Sequence, residues 1–521
     1  MKYSVTMSGR SNIHALMTGQ SQLTWFAWVV GLGLTAQGLA VHLHALPYTT
    51  DELQYLAWSK DLAWGYFSKP PGIAAAIRLW TFVDPQTSQL RLLAQICYGL
   101  SLAVSFKLLM RGGLSSTKSW VATLILGSIP LIGFAQWFFT TDALLLLCWL
   151  LSLVIAWEAL QASSPRIALR YWALLGIVIG LGTLCKHFML FFWLGLAIHL
   201  AILGYRSRDH LAGVLLALSV FVLIISPHLL WLMEHPGTTL KHLTDLQASD
   251  TKHLQTSDRL ASLGMHALHG VEFLLAQWLG LGVGMMLMLR QKVAWTPLQR
   301  WLLASSLPIL GIFVMQALLS HAYANWALPA TFTLGLALLA RYLNANDIEA
   351  QGEAGRGSMS VLFVWAMSNL LMSFFIAFGA QGLKYIRPDA VVWIDRLDPF
   401  HRQRGWDTFG QHLLELRKPP DIAWGVQDRD TASRILYQFG EGQLLYQSSP
   451  NTKLNHYAMR YADRASLAAS RRNRDSSMCL WQLRREAEVE ESNRQSAIAK
   501  VERQRLSGRA EVWLVLPESC R

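Results

Sequence analysis

Long apolar segments constrain the fold of this chain more than any other feature of its sequence. Windows of roughly 20 apolar residues recur between residues 25 and 380, and one such window crosses a bilayer core of about 30 Å as a helix. Charged residues make up only 15% of the chain, against about 25% in soluble domains. The sequence therefore predicts an α-helical polytopic membrane protein.

About eleven apolar segments qualify as transmembrane helices, and the basic residues between them indicate their orientation. They occupy residues 25–41, 90–110, 120–134, 143–160, 211–232, 267–289 and 361–378, with two further pairs that meet at 186–187 and 320–325. Short loops such as that at Arg166 and Arg170 carry Lys or Arg residues, whereas the turns at 136–142 and 320–325 carry neither. Positive residues favour the cytoplasmic side of the membrane. An odd number of spans then places the N-terminus inside and the C-terminus in the periplasm.

The chain divides where its hydropathy falls. Residues 1–380 form the predicted membrane domain, and residues 381–521 form a soluble domain of about 140 residues. Alternating stretches such as ILYQFG, QLLYQ and VWLVLP indicate strands between helical runs, so we expect a mixed α/β fold. Residues 466–509, rich in Arg, Glu, Ala and Ser, predict either a helical excursion or a poorly ordered insertion. Cys479 and Cys520 fall in this domain, and they could pair in an oxidising compartment.

A polar and aromatic loop, residues 44–88, separates the first two spans and is the predicted catalytic region. Its central part reads YTTDELQYLAWSKDLAWGYFSKPPG. It carries a carboxylate pair, Asp51 and Glu52, near its start, with Tyr66 and Lys69 near its end. We expect the rest of the protein to hold this loop over a lipid-linked substrate at the membrane surface.

The local pattern of this loop predicts two short helices. Thr49 and Glu52 have capping-box spacing, so a helix should begin near residue 50 and place Asp51 and Tyr55 on one face. The prolines at 70–71 should begin a second helix. The alternative interpretation is that the two acids only offset the helix dipole.

Two polar positions at the ends of later spans are further candidates. Asp142 begins a span made almost entirely of Leu, Cys and Trp, where a carboxylate costs about 3 kcal/mol and is a functional candidate by default. Its alternative role is a helix cap together with Thr140 and Thr141. Lys186 and His187 form a basic pair on the same side of the membrane, for which a snorkelling lysine is the alternative.

We therefore predict Asp51, Glu52 and Asp142 as catalytic residues. Polar or aromatic residues on the outer side form the predicted substrate-binding set: Tyr55, Tyr66, Lys69, Lys186, His187, Glu272, His321, Asn325 and Trp326. The histidines of the outer loop lack dense metal-ligand spacing such as HExxH, and no glycine-rich nucleotide motif occurs. Despite the net charge of +12, many basic residues lie in short loops where they set topology, so we expect no nucleic-acid partner.

The ordered motifs of the chain resemble one known family. DELQY, GYFSKPPG, TTDALLL, a lysine-containing turn, ISPHLLW, VEFLLAQ and ANWALPA occur in that order, followed in the soluble part by RQRGWDTFG, DRDTASRILY and NHYAM. The set is similar to the bacterial family 39 glycosyltransferases. These are C-type membrane enzymes akin to protein O-mannosyltransferases and to the aminoarabinose transferases that modify lipid A.

The resemblance implies a sugar donor attached to a polyprenyl phosphate and inverting transfer on the periplasmic side of the inner membrane. It makes Asp51 the first-loop aspartate that acts as general base or orients the acceptor, and Asp142 the second acid. Tyr66 and Lys69 match the residues that contact the lipid phosphate. Aminoarabinose transferases carry a metal-associated Glu before that lysine, and here the residue is Ser68. The sequence thus requires no metal, leaves a divalent ion open, and does not specify that sugar.

The chemistry of such a transfer fits these residues independently. Attack on an anomeric carbon needs a carboxylate to take the acceptor proton, and a leaving lipid phosphate needs a cation such as Lys69 or Lys186. The acceptor is left open between a lipid, a glycan and a protein. The competing hypothesis is a non-enzymatic transporter or flippase, which would place its charges near mid-membrane, often within repeated halves.

Overall fold

The computed structural model describes a defined part of the chain. The described residues are 19–44, 46–203, 208–236, 259–282, 284–285, 292–346, 348, 353–387, 394, 397–415, 423–426, 428–440, 444–446, 480–485, 497–504 and 509–515. The predicted pairing of Cys479 with Cys520 lies outside these ranges and stays a prediction.

Helices make up the described membrane part. They are α1 (Gly19–Leu43), α2 (Thr50–Lys60), α3 (Gly72–Trp80), α4 (Leu90–Arg111), α5 (Ser116–Ser128), α6 (Pro130–Ala135), α7 (Thr141–Leu160), α8 (Pro165–Cys185), α9 (Phe191–Leu203), α10 (Arg208–Glu234), α11 (Arg259–Leu281), α12 (Pro297–Ala304), α13 (Leu307–Leu319), α14 (Leu328–Ala345) and α15 (Glu353–Ile386). Short 3₁₀ turns, His187–Leu190 and Ala324–Ala327, precede α9 and α14.

Eight helical segments among the described residues are long and apolar enough to cross a membrane. The predicted polytopic α-helical fold is thus confirmed, whereas the exact number of spans stays a prediction. Other predicted spans correspond to α9, to α11, and to α5 followed by α6. The break between α5 and α6 has a local cause, because Ile129 is extended before Pro130, and proline disfavours helical backbone in the preceding residue.

Two helices lie at the centre of the bundle. In the apolar part of each span, 83% of the residues are buried for Ala324–Ala345, which contains α14, and 67% for α7, against 28% for the span within α1. The indole N–H of Trp149 on α7 donates to Thr333 Oγ1 on α14 at 2.9 Å. The N-terminal ends of these central segments carry the polar residues described below, which fixes those residues against a rigid core.

Among its described residues, the part of the chain predicted to be soluble contains a five-stranded mixed sheet with helices. Its elements are α16 (Trp406–Glu415), β1 (Ala423–Val426), α17 (Arg429–Phe439), β2 (Leu444–Tyr446), β3 (Leu480–Arg485), β4 (Ala497–Gln504) and β5 (Arg509–Val515). The strand order is β2-β1-β3-β5-β4. Strand β1 is parallel to β2 and β3, while β5 is antiparallel to β3 and β4. Helix α15 continues to Ile386, past the predicted boundary at residue 380.

Two predictions for this part are wrong. The ILYQFG stretch is the end of helix α17, not a strand, because Asp428 caps the helix by accepting the Thr431 N–H at 2.9 Å. Ile435 and Leu436 are buried on this helix. The predicted helical or poorly ordered segment 466–509 instead contributes strands β3 and β4 among its described residues.

Candidate active site

Helix α2 begins with the capping box that the sequence predicted. Thr49 Oγ1 accepts a hydrogen bond from the Glu52 N–H at 3.0 Å, and Glu52 Oε2 accepts one from the Thr49 N–H at 2.7 Å. Glu52 is completely buried and also forms an ion pair with Arg91 at 3.2 Å. Its Oε1 accepts the Phe139 N–H at 3.0 Å. Both oxygens therefore join the loop to α4 and to the turn before α7, an arrangement that anchors the loop.

Tyr66 shapes the second half of the loop. Its ring stacks on that of Trp58 with centroids 4.4 Å apart. Its hydroxyl lies 3.1 Å from the carbonyl oxygens of Trp58 and Asp61, and it accepts the Ala63 N–H at 3.1 Å. The Tyr66 N–H donates to the Lys69 carbonyl at 3.0 Å. The Tyr66 hydroxyl thus contacts backbone groups of the loop, and the Tyr66 N–H stabilises the turn that contains Lys69.

The start of α3 lies directly against the end of α8. A Cβ atom at Gly72 would lie 2.6 Å from the Leu184 carbonyl oxygen and 2.8 Å from Cys185 Sγ. Only glycine permits so close an approach. This contact brings the GYFSKPPG stretch next to Lys186, which follows α8 directly.

Asp142 gathers polar groups from separate parts of the membrane domain. Its own N–H donates to Thr140 Oγ1 at 3.3 Å, so the predicted helix cap is present. Lys186 Nζ lies 2.6 Å from Asp142 Oδ1, and the Asn325 side-chain amide donates to Oδ2 at 3.1 Å. Asp142 is almost completely buried. Asp142, Lys186 and Asn325, all predicted on the outer side of the membrane, are therefore in direct contact.

A residue that the sequence analysis did not single out orients the Asn325 turn. Gln277 on α11 donates from its amide to the Ala324 carbonyl at 3.0 Å. Its carbonyl oxygen accepts the Thr331 hydroxyl at 2.6 Å. Gln277 ends the VEFLLAQ motif, so the motif pointed to this residue although its role was not apparent.

Asp51 meets the soluble domain. Its side chain is half exposed and forms an ion pair with Arg429, the first residue of α17. Arg429 Nε also donates to the Gln54 amide oxygen at 2.8 Å, and the Thr50 hydroxyl donates to Asp430 Oδ1 at 2.7 Å. Arg429 belongs to the DRDTASRILY motif, but no spacing in the sequence could pair residues so far apart. The N-terminus of α17 is thus docked on that of α2.

Lys69 faces the charges of both clusters. Burial, and then the charge of Lys186, lower the pKa of Lys69 below its usual range, while Asp51 and Asp142 oppose this shift. Among the described residues, no carboxylate lies within ion-pair distance of its ammonium, in contrast to Lys186 and Arg429. A lysine near two carboxylates and without an ion-pair partner is suited to an anionic ligand.

Tyr55 and His187 lie beside these charges. Burial, with a smaller contribution from Asp51, raises the pKa of the Tyr55 hydroxyl well above its usual range, so this group remains a hydrogen-bond donor. His187 Nε2 lies 3.0 Å from His228 Nε2, and His228 Nδ1 donates to the Trp64 carbonyl at 2.7 Å. Because Nδ1 carries the proton in a neutral His228, its Nε2 accepts from His187. His228, in the ISPHLLW motif, was not among the predicted residues.

Some predicted residues do not join this arrangement. Glu272 is exposed on α11 between the exposed apolar residues Val271 and Leu274. No polar contact of Glu272 occurs among the described residues. The rings of His321 and Trp326 pack against Tyr323, with centroid distances of 4.6 and 5.4 Å. Within the described chain, no group of three His, Cys, Asp or Glu side chains could hold a metal ion.

The sequence of this chain is similar to known glycosyltransferases. Residues 68–231 match the family model described as dolichyl-phosphate-mannose-protein mannosyltransferase. The chain is 28% identical over 313 residues to the lipid A galacturonosyltransferase RgtD of Rhizobium johnstonii. That match covers 58% of this chain and 62% of the relative. The chain thus matches less than two thirds of the relative's length.

The fold matches crystal structures of ArnT from Cupriavidus metallidurans. The TM-score is 0.59 for the apo state at 12% identity, covering 94% of this chain and 98% of ArnT. For ArnT bound to undecaprenyl phosphate, the TM-score is 0.60 at 14% identity, with coverage of 95% and 99%. The chain therefore has an ArnT-like fold. Its sequence is similar to the mannosyltransferase family model and to RgtD, in keeping with the resemblance of its motifs to family 39 glycosyltransferases.

Proposed function

We propose that this protein is a membrane glycosyltransferase that moves a hexosyl or pentosyl group from a polyprenyl-phosphate donor to an acceptor in the periplasm. The observation that carries the proposal is Lys69, a partly buried cation close to two carboxylates and without an ion-pair partner among the described residues. A phosphate at this place would supply the missing counter-charge. Its polyprenyl chain would remain in the bilayer beside the loop.

We infer an inverting displacement, as the family resemblance implies. Asp51, half exposed at the start of α2, takes the proton of the acceptor hydroxyl. The freed oxygen attacks the anomeric carbon from the side opposite the phosphate, and the carbon–oxygen bond to that phosphate breaks. The polyprenyl phosphate leaves with one additional negative charge, which the Lys69 ammonium stabilises. No proton donor to the leaving oxygen is needed, in contrast to a glycosidase.

The remaining polar groups support these two residues. Asp142 holds Lys186 at 2.6 Å and Asn325 at 3.1 Å, so it positions a second cation beside the site. Glu52 anchors the loop through Arg91 and is assigned a positioning role. A transporter would be expected to carry such charges near mid-membrane. Here they lie at the ends of spans and on the loop between them, which favours chemistry at one surface.

We further propose a lipid A-like glycolipid as the acceptor, because lipid A is named in the activity of the sequence relative. The same relative transfers a galacturonosyl group, and Ser68 replaces the acid that the aminoarabinose transferases carry before their lysine. A uronic acid is therefore the first sugar to test.

Purified protein in liposomes should transfer sugar from synthetic polyprenyl phosphates carrying a uronic acid, a neutral hexose or an aminopentose, offered in parallel. We expect Lys69→Ala to lower the rate by roughly 100-fold or more, because the leaving phosphate loses its cation. Lys60→Ala removes an exposed lysine of the same loop and should leave the rate unchanged. Equal transfer from a soluble nucleotide sugar without a lipid carrier would contradict the proposal.

A further inference from the structure

A cavity of about 690 Å³ lies outside the site described above. It is lined by the end of α1, both ends of the 44–88 loop, the start of α4 with the Glu52-paired Arg91, and helices α16 and α17. None of the predicted site residues lines it. Tyr48 does, and it lies in the same short stretch of chain as Asp51. The cavity therefore borders the chain just before the proposed base, and no residue of the Asp142–Lys186 cluster lines it. Its volume is typical of small-molecule sites.

One wall of the cavity carries a buried cation. Arg434 is only 8% exposed, and its Nε atom has no hydrogen-bond partner among the described residues. Its Nη2 donates to the Tyr48 carbonyl oxygen. No carboxylate of the described chain lies within ion-pair distance. Burial lowers the pKa of Arg434 to about 10, so the guanidinium is still charged at neutral pH. A buried, unpaired charge is costly, and a bound anion would offset that cost.

The other walls suit a saccharide. Trp406 forms part of the cavity wall, and the Arg434 guanidinium lies over its ring at 5.1 Å from the centroid. Asp407, Gln89 and Gln411 add a carboxylate and two amides. An aromatic surface with a few convergent polar groups is the usual composition of a site for a ligand rich in hydroxyls. Inorganic phosphate would satisfy Arg434 but would leave these groups unused.

The cavity also extends to the end of the first predicted span. Val41, on α1, and Leu46, just beyond it, are among the lining residues. Leu39 and Leu43 on the same helix end are 55% and 83% exposed, as expected of lipid-facing residues. A ligand in the cavity can therefore keep apolar chains in the bilayer beside α1.

We propose that this cavity binds the phosphorylated saccharide headgroup of the membrane glycolipid that accepts the sugar. The inference rests on the proposed function and specifies its second substrate. Arg434 holds the phosphate, the Trp406 wall and the amides hold the sugar rings, and the acyl chains lie along α1. The donor phosphate occupies the separate place at Lys69, so the N-terminus of α2 lies between the two substrates with Asp51 exposed.

The test measures binding directly, without turnover. Purified full-length protein in detergent is titrated with lipid A, with chemically dephosphorylated lipid A, and with inorganic phosphate. Arg434→Gln removes the cation. Arg434 also donates to the Tyr48 carbonyl oxygen, so its replacement can disturb the fold as well as binding. A second variant, Gln411→Glu, therefore places a negative charge on the cavity wall. It removes no hydrogen bond found among the described residues. The matched control is Gln86→Glu, exposed on the same side of the protein in a neighbouring cavity.

We expect wild-type protein to bind lipid A at least tenfold more tightly than the dephosphorylated form, as a charge-assisted contact predicts. Both cavity variants should remove this preference, and Gln86→Glu should keep it. Similar binding of the two lipids, or an unaltered Gln411→Glu variant, would overturn the inference, as would tight binding of inorganic phosphate with none of lipid A. In transfer assays, Gln411→Glu should raise the acceptor KM and leave the donor KM unchanged. A wild-type protein that binds lipid A but transfers no sugar would refute the proposed function alone.

Discussion

The two acidic sites of this protein are built in opposite ways. Asp142 is almost completely buried, and both its oxygens are bound by groups of the membrane domain, Lys186 and Asn325. Asp51 is half exposed, and the ion pair that holds it comes from Arg429 of the soluble domain. The first site is part of a rigid helical core, whereas the second is assembled at a junction.

This difference suits the two carboxylates to different roles in the reaction. A carboxylate that is buried and fully bound holds its partners in place but has little room to take a proton from a substrate. A carboxylate at an exposed junction can exchange its partner for an acceptor hydroxyl. The comparison therefore favours Asp51 as the base and Asp142 as the residue that positions Lys186.

The largest effect should come from Asp51→Asn. The change keeps the size of the side chain and removes the base, so transfer should fall by roughly 100-fold or more while the protein still folds. Initial rates in liposomes and thermal unfolding of the same preparation measure the two properties. Near-normal turnover in this variant would remove Asp51 from the mechanism.

Asp142→Asn should have a smaller effect on the rate, on the order of tenfold, because it loosens Lys186 without removing the base. The helix cap is formed by Thr140, and losing a cap costs about 1 kcal/mol. Thr140→Ala is therefore the matched control for stability. An Asp142→Asn variant that unfolds earlier but turns over normally would leave the residue with a structural role only.

Arg429→Gln should lower turnover by a few-fold, since Asp51 remains but loses its anchor in the soluble domain. The decisive measurement is a double-mutant cycle with Asp51→Asn. If Arg429 acts only through Asp51, its removal should have no further effect once Asp51 is already asparagine. Fully additive losses would instead assign Arg429 a separate role.

The sequence predicted the membrane-domain site better than the junction. Capping at Thr49 and Thr140 is a local property of the chain, so spacing alone identified both helix starts. Asp142 and Lys186 could be assigned to the same face because both lie at the outer ends of predicted spans. The Arg429 contact joins residues 378 positions apart in the chain, and no local pattern encodes it.

The failures have the same physical origin. ILYQFG alternates like a strand, but the Asp428 cap begins a helix seven residues earlier, and burial of Ile435 on that helix decides the outcome. Glu272 looked functional because an acid within an apolar span is costly. The structure leaves it exposed on the outside of α11, a position that hydropathy could not reveal.

The smallest expected effect is a change in pH dependence that separates the two sites. Burial and Lys186 lower the pKa of Lys69, so its ammonium loses its proton at a lower pH than an ordinary lysine. Because the leaving phosphate needs the charged form, kcat/KM should fall as pH rises through this lowered pKa. The test replaces the titrating lysine.

The Lys69→Arg variant keeps a charge that does not titrate in this range. The rate of this variant should be reduced at neutral pH, while the decline of its kcat/KM on the alkaline side should move to higher pH. Lys60→Arg is the control and should retain the wild-type profile. If the alkaline decline is unchanged in Lys69→Arg, the charge that stabilises the leaving phosphate comes from another group, such as Lys186.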